Sequence, residues 1–169
     1  MATKLKWFAA AAVIGVIAAT TYQNLTHSAG EMAAVQLTTI EQKPINFADW
    51  QKAGKVTVVN FWATSCSTCK KEMPRLAAMY KEFNPKGLEY VGIAMQYDDL
   101  TYIKNYVAAQ QLPFNVAWDS DGRLSSQFGN IMGTPTTFII DKQGKIIKRY
   151  VGEPEWGDFY AVINAALAV

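Results

Sequence analysis

Seven residues, Lys55-Val-Thr-Val-Val-Asn-Phe61, hold three valines and a threonine and neither glycine nor proline. β-Branched side chains are stiff at χ1 and fit a pleated surface, so the run reads as a strand buried on both faces. The hydrophobic period then changes. Met73, Leu76, Ala77, Tyr80 and Phe83 recur at helical spacing, which gathers them on one face of a helix. A buried strand that feeds an amphipathic helix is the first half of a crossover, and it requires further strands beside it.

The rest of the chain supplies them. Asn84-Pro85-Lys86-Gly87 stops the helix, and Leu88 to Met95 is the next strand. Asp98 and Asp99 suit the start of a helix carrying Leu100, Ile103 and Val107, closed by Pro113. Phe114 to Trp118 is a shorter strand. Asp119-Ser120-Asp121-Gly122 is a turn before a small helix to Phe128, with Gly129 as its C-cap. Thr136 to Ile140 and Lys145 to Val151 are strands joined by the hairpin turn Asp141-Lys142-Gln143-Gly144. Pro154 opens a last helix with Phe159, Val162, Ile163, Ala166 and Leu167 inward. Upstream, Val35 to Thr38 and Pro44 to Asn46 form a hairpin, followed by a helical turn from Phe47 to Ala53. The expected class is α/β, a mixed central sheet with helices on both faces. A chain of 169 residues, half of them hydrophobic, has the core for one such domain.

The start of the chain follows a different rule. Lys4 and Lys6 precede an apolar run from Trp7 to Ala19, and no charge follows until Glu31. Residues 1–22 therefore read as a membrane anchor or a signal peptide, 23–34 as a tether, and 35–169 as the domain. Either membrane reading leaves the lysines inside and the domain outside, on the periplasmic side of a bacterial inner membrane. No cysteine follows the apolar run, which excludes a bacterial lipoprotein anchor. The two lysines account for the whole net charge of +2. Clustered positive charge is missing, so no nucleic-acid partner is expected.

Cys66 and Cys69, the only cysteines, stand where the buried strand meets the helix. Backbone N–H groups of a first helical turn have no internal partner and lie at the positive end of the dipole, so a thiolate is stabilised there. Cys69, one turn on, faces the same side but deeper. The spacing suits two-step exchange: Cys66 attacks an external disulfide, and Cys69 resolves the mixed disulfide. A bridge this short removes little chain entropy, so stability is a weak reason for the pair. Zinc would need two more ligands, and the single histidine, His27, lies in the tether. Two thiolates can also hold Cu(I), so a copper-carrying module stays as an alternative. Peroxide chemistry suits the spacing less well than exchange.

Three passages carry a family resemblance: Val58 to Pro74, with V-V-N-F-W-A-T-S-C-S-T-C-K-K-E-M-P; Gly133 to Ile146, with G-T-P-T-T-F-I-I-D-K-Q-G-K-I; and the approach from Asp119 to Gly129. They resemble the thioredoxin superfamily and, within it, the membrane-linked TlpA/ResA-type thiol-disulfide oxidoreductases, over about residues 35–169. The resemblance implies a thioredoxin-like fold, Cys66 as nucleophile and Cys69 as resolving thiol. It implies a cis peptide before Pro135, facing the cysteines, with Thr134 offering backbone groups to an extended client. Pro74 matches a helix-kinking proline. Glu72 matches a carboxylate beside the thiols which, if buried, would exchange the Cys69 proton; otherwise it is a solvated acid. Trp62 matches an aromatic under the site. Two positions depart from the pattern. Asn60 stands where many thioredoxins have a buried aspartate, and Ser65 replaces a tryptophan, which leaves a smaller and more polar rim.

The resemblance further implies a reductant of selected disulfides, in apocytochrome c or copper-site proteins, recharged by a membrane electron donor of the CcdA/DsbD kind and needing no cofactor or metal of its own. An oxidant that donates its disulfide to folding proteins is the enzymatic alternative.

Overall fold

The computed structural model describes residues 32–169. The anchor or signal segment 1–22, and all of the tether before Met32, lie outside the described residues. Among those described, no helix is long and apolar enough to cross a membrane.

A hairpin comes first, β1 (Gln36–Thr38) paired antiparallel with β2 (Pro44–Asn46), then α1 (Phe47–Lys52). The main sheet follows: β3 (Val56–Trp62), α2 (Ser67–Phe83), β4 (Leu88–Ala94), α3 (Leu100–Gln110), β5 (Asn115–Trp118), α4 (Arg123–Gln127), β6 (Thr136–Ile140), β7 (Ile146–Val151) and α5 (Trp156–Ala168). Its order is β5-β4-β3-β6-β7. β4 runs parallel to both β3 and β5, whereas β6 is antiparallel to β3 and β7. The expected mixed sheet is present, with β3 at its centre.

All seven residues of β3 are buried, and their alternation builds two cores. Val56, Val58 and Trp62 join Leu76, Met79, Ile103, Phe159 and Ile163 on the face covered by α2, α3 and α5. Val59 and Phe61 join Leu37, Ile45, Phe47, Leu124 and Phe128 on the face covered by the hairpin, α1 and α4. Met32 belongs to this second core, so packing reaches back to the first described residue. The hairpin is tied to the sheet where Ile40 N–H donates to Val116 O at 2.9 Å.

Local signals set most boundaries. Asn46 caps α1 by accepting from Ala48 N–H. Gly87, at φ +106, turns the chain out of α2 into β4. Two starts differ from the sequence reading. Helix α5 begins at Trp156, because Glu155 accepts from the Gly157 and Asp158 N–H groups and Pro154 stands outside. Of the two aspartates before α3, only Asp99 caps it, accepting from Thr101 and Tyr102 N–H. On the inward faces, Val107, Val162 and Leu167 are only partly buried, and Met79 is wholly buried.

Candidate active site

The strand β3 ends at Trp62, and four residues later the chain enters α2 with Cys66 as N-cap. Cys66 Sγ accepts from the Cys69 N–H at 3.1 Å, so a first-turn amide does point at this sulfur. The two sulfurs form a disulfide with the Cα atoms 5.3 Å apart. Cys66 is partly exposed, and Cys69 is fully buried in the α2-face core. One sulfur is therefore open to attack or to attack others, and its partner is screened.

Pro135 stands immediately before β6, after a cis Thr134–Pro135 bond, and the next residue, Thr136, pairs with Phe61 near the end of β3. The Pro135 carbonyl accepts from Gly152 N–H at 2.8 Å. Among the described residues, the backbone N–H and C=O of Thr134 take no hydrogen-bond partner. Ser65 is exposed beside Cys66. Trp62 is wholly buried and packs at 5.4 Å between ring centroids against Tyr106. Gly92 on the adjacent strand makes room for it, since a Cβ there would sit 3.2 Å from Trp62 Nε1.

Glu72 lies one turn beyond Cys69 on the same buried stripe and is 1 % exposed. The solvated-surface reading is thereby removed. Burial pushes its carboxyl from 4.5 to about 7, the Glu153 charge adds to this, and a hydrogen bond from Asn60 opposes both. The Asn60 amide donates to Glu72 Oε1 at 3.2 Å and to Thr137 Oγ1 at 2.9 Å. Asn60 and Thr137 are register partners on β3 and β6, on the face that looks at α2. Glu72 Oε2 and the Tyr90 hydroxyl are buried and unpartnered among the described residues. Burial and the Glu72 charge raise the Tyr90 hydroxyl well above its usual range. Since Oε1 is taken by an N–H, the Glu72 proton has Oε2 to sit on.

Sequence reading missed four parts of this arrangement. Asn60 stood out as a lost titratable group, yet it serves as the donor that holds Glu72. Its partner Thr137 becomes visible only once the strand register is known. Asp98, expected at a helix start, instead accepts from both Thr64 N–H and Thr64 Oγ1 at 2.6 Å. Tyr97, 62 % exposed, sets its hydroxyl 3.4 Å from Thr134 Oγ1. Among the described residues, no three histidine, cysteine, aspartate or glutamate side chains gather into a metal site.

Residues 29–149 match the model of the AhpC/TSA family. A curated relative, the thiol-disulfide oxidoreductase ResA of Bacillus thuringiensis subsp. konkukian, is 37 % identical over 117 residues, which is 69 % of this chain and 65 % of that protein. The chain thus spans just under two thirds of that relative's length. ResA of Bacillus subtilis is 33 % identical over 99 residues, 59 % of this chain and 54 % of that protein. Among solved structures, a thiol:disulfide interchange protein of the thioredoxin family from Chlorobium tepidum is similar at a TM-score of 0.71 and 32 % identity, covering 79 % of this chain and 92 % of that one.

Proposed function

This chain belongs to the AhpC/TSA family and has a thioredoxin-like fold; from that premise we propose that it is an extracytoplasmic thiol-disulfide oxidoreductase that reduces selected protein disulfides. The observation that carries the reading is the asymmetry of one bridge: Cys66 partly exposed at a helix start, Cys69 fully buried behind it. The ResA relatives support the same chemistry.

In the reduced protein, the Cys66 thiolate attacks one sulfur of a client disulfide. A Cys66–client bond forms, the client S–S bond breaks, and the first client thiolate leaves. Cys69, deprotonated, then attacks Cys66 Sγ. The Cys66–Cys69 bond forms and the second client thiolate leaves. Two electrons pass to the client, and its two thiolates take up two protons. Glu72 supplies the base for the second step: with a carboxyl near neutrality it takes the Cys69 proton on Oε2 and later returns it. Thr134 aligns the client backbone beside Pro135. A membrane thiol donor restores the dithiol, and cytochrome or copper-site apoproteins are the client class.

Trapping tests this. With Cys69→Ala the second step is blocked, so mixed disulfides through Cys66 accumulate in the native compartment and mass spectrometry identifies the client. A reduced, accessible Cys66 that collects no adducts would sink the proposal. Equilibration with glutathione fixes the direction: a potential near about −270 mV marks a reductant, one near about −120 mV an oxidant.

A further inference from the structure

The exchange reading leaves one pair of neighbours without a task. Tyr97 and Asp98 sit in the loop between β4 and α3 and reach in opposite directions. The Asp98 carboxylate accepts from Thr64 N–H and Thr64 Oγ1, both at 2.6 Å, which ties this loop to the segment leading into Cys66. Tyr97 places its hydroxyl 3.4 Å from Thr134 Oγ1, on the loop that ends at Pro135. The turn Met95–Asp98, which carries both, is closed by Asp98 N–H donating to Met95 O at 3.0 Å.

A large aromatic ring kept 62 % exposed is an interface feature when it borders a reactive group, because tyrosine offers area at low conformational cost. Two residues before Thr134, Met132 is 93 % exposed, and methionine adapts to irregular apolar partners. Resting on the exchange reading, we infer that Tyr97 is a specificity-determining residue, held in place by the positioning residue Asp98, and that it selects clients with an apolar side chain beside the attacked cysteine. The client segment pairs with the open backbone of Thr134 while its flanking side chain meets the Tyr97 ring. The hydroxyl contact with Thr134 is long, so the ring rather than the hydroxyl makes the selection, and Asp98 rather than that contact holds the ring.

The test uses the full chain, pre-reduced, in single-turnover exchange with two disulfide-looped peptides that differ only in flanking leucine or serine. Hydroxyethyl disulfide serves as a third, featureless substrate. Wild type is expected to prefer the leucine peptide by about tenfold in second-order rate constant. Tyr97→Ala brings that ratio close to unity and Tyr97→Phe keeps it. Asp98→Ala also lowers the ratio, and adding Asp98→Ala to Tyr97→Ala lowers it no further. A merely structural Asp98 would slow both peptides alike and leave the ratio intact, which overturns its role. An undiminished ratio in Tyr97→Ala, or a wild type active on hydroxyethyl disulfide without a leucine preference, overturns the inference and leaves the exchange reading standing. A wild type inert towards all three substrates overturns both.

Discussion

Glu72 shows how far a single residue's surroundings outrun its sequence neighbours. In the chain it follows Lys70 and Lys71, which suggests a solvated charge. In the fold its side chain turns onto the stripe shared with Cys69, Met73 and Leu76, and its one polar partner comes from a central strand. Folded, the carboxyl holds its proton up to about pH 7, whereas unfolded it releases it near 4.5. The folded state therefore binds more protons in between. Its stabilising contribution is complete below about pH 4.5 and is lost as pH rises through about 7. The displacement from 4.5 to about 7 corresponds to about 3 kcal/mol at most. Urea unfolding of the oxidised wild type is expected to show that decline between about pH 4.5 and about pH 7, and Glu72→Gln is expected to flatten it. Parallel curves would mean that Glu72 ionises as freely in the fold as outside it. In exchange assays the same variant is expected to shift the pH profile of the resolving step, which follows ionisation of the Cys69 thiol; an unshifted profile would leave Glu72 no part in it.

At the scale of elements, the strands and helices were legible because period alone separates them: β-branched runs for β3 and β6, a helical stripe for α2. Cys66 and Cys69 were legible because motif and element boundary coincide, and the turn before Pro135 was legible through the family resemblance. What stayed hidden depends on partners distant in sequence. Asp98 finds Thr64, and Asn60 finds Thr137, only after the sheet is assembled. Asp119 is intermediate. Its place in a turn could be read, but not that its carboxylate is 1 % exposed and accepts from Leu124 and Ser125 N–H, both at 2.8 Å. That carboxylate does the work of an N-cap for α4, where Gly122 has no side chain to offer. Asp119→Ala leaves both amides without their acceptor in a buried setting and is expected to cost about 2–4 kcal/mol in urea unfolding. Asp119→Asn keeps one acceptor oxygen and is expected to cost roughly half as much. A loss below about 1 kcal/mol would show that α4 is held by Leu124 and Phe128 packing instead.

For the whole molecule, the chemistry constrains where the domain must work. On the proposed reading the partly exposed Cys66 belongs to a reductant outside the cytoplasm, which has to be recharged through the membrane, because glutathione and thioredoxin keep thiols reduced only within. On the proposed extracytoplasmic reading, Lys4 and Lys6 ahead of the apolar run set the orientation by the positive-inside bias. Intact spheroplasts expressing the full chain with Cys69→Ala, treated first with a membrane-impermeant phosphine to release client adducts, are therefore expected to label at Cys66 with a membrane-impermeant maleimide, without lysis. Replacing Lys4 and Lys6 by glutamate weakens the orientation signal and is expected to reduce the labelled fraction. Labelling that requires lysis in the unaltered leader would place the bridge in the cytoplasm. It would then draw its electrons from the soluble thiol pool, and a membrane donor would have no role.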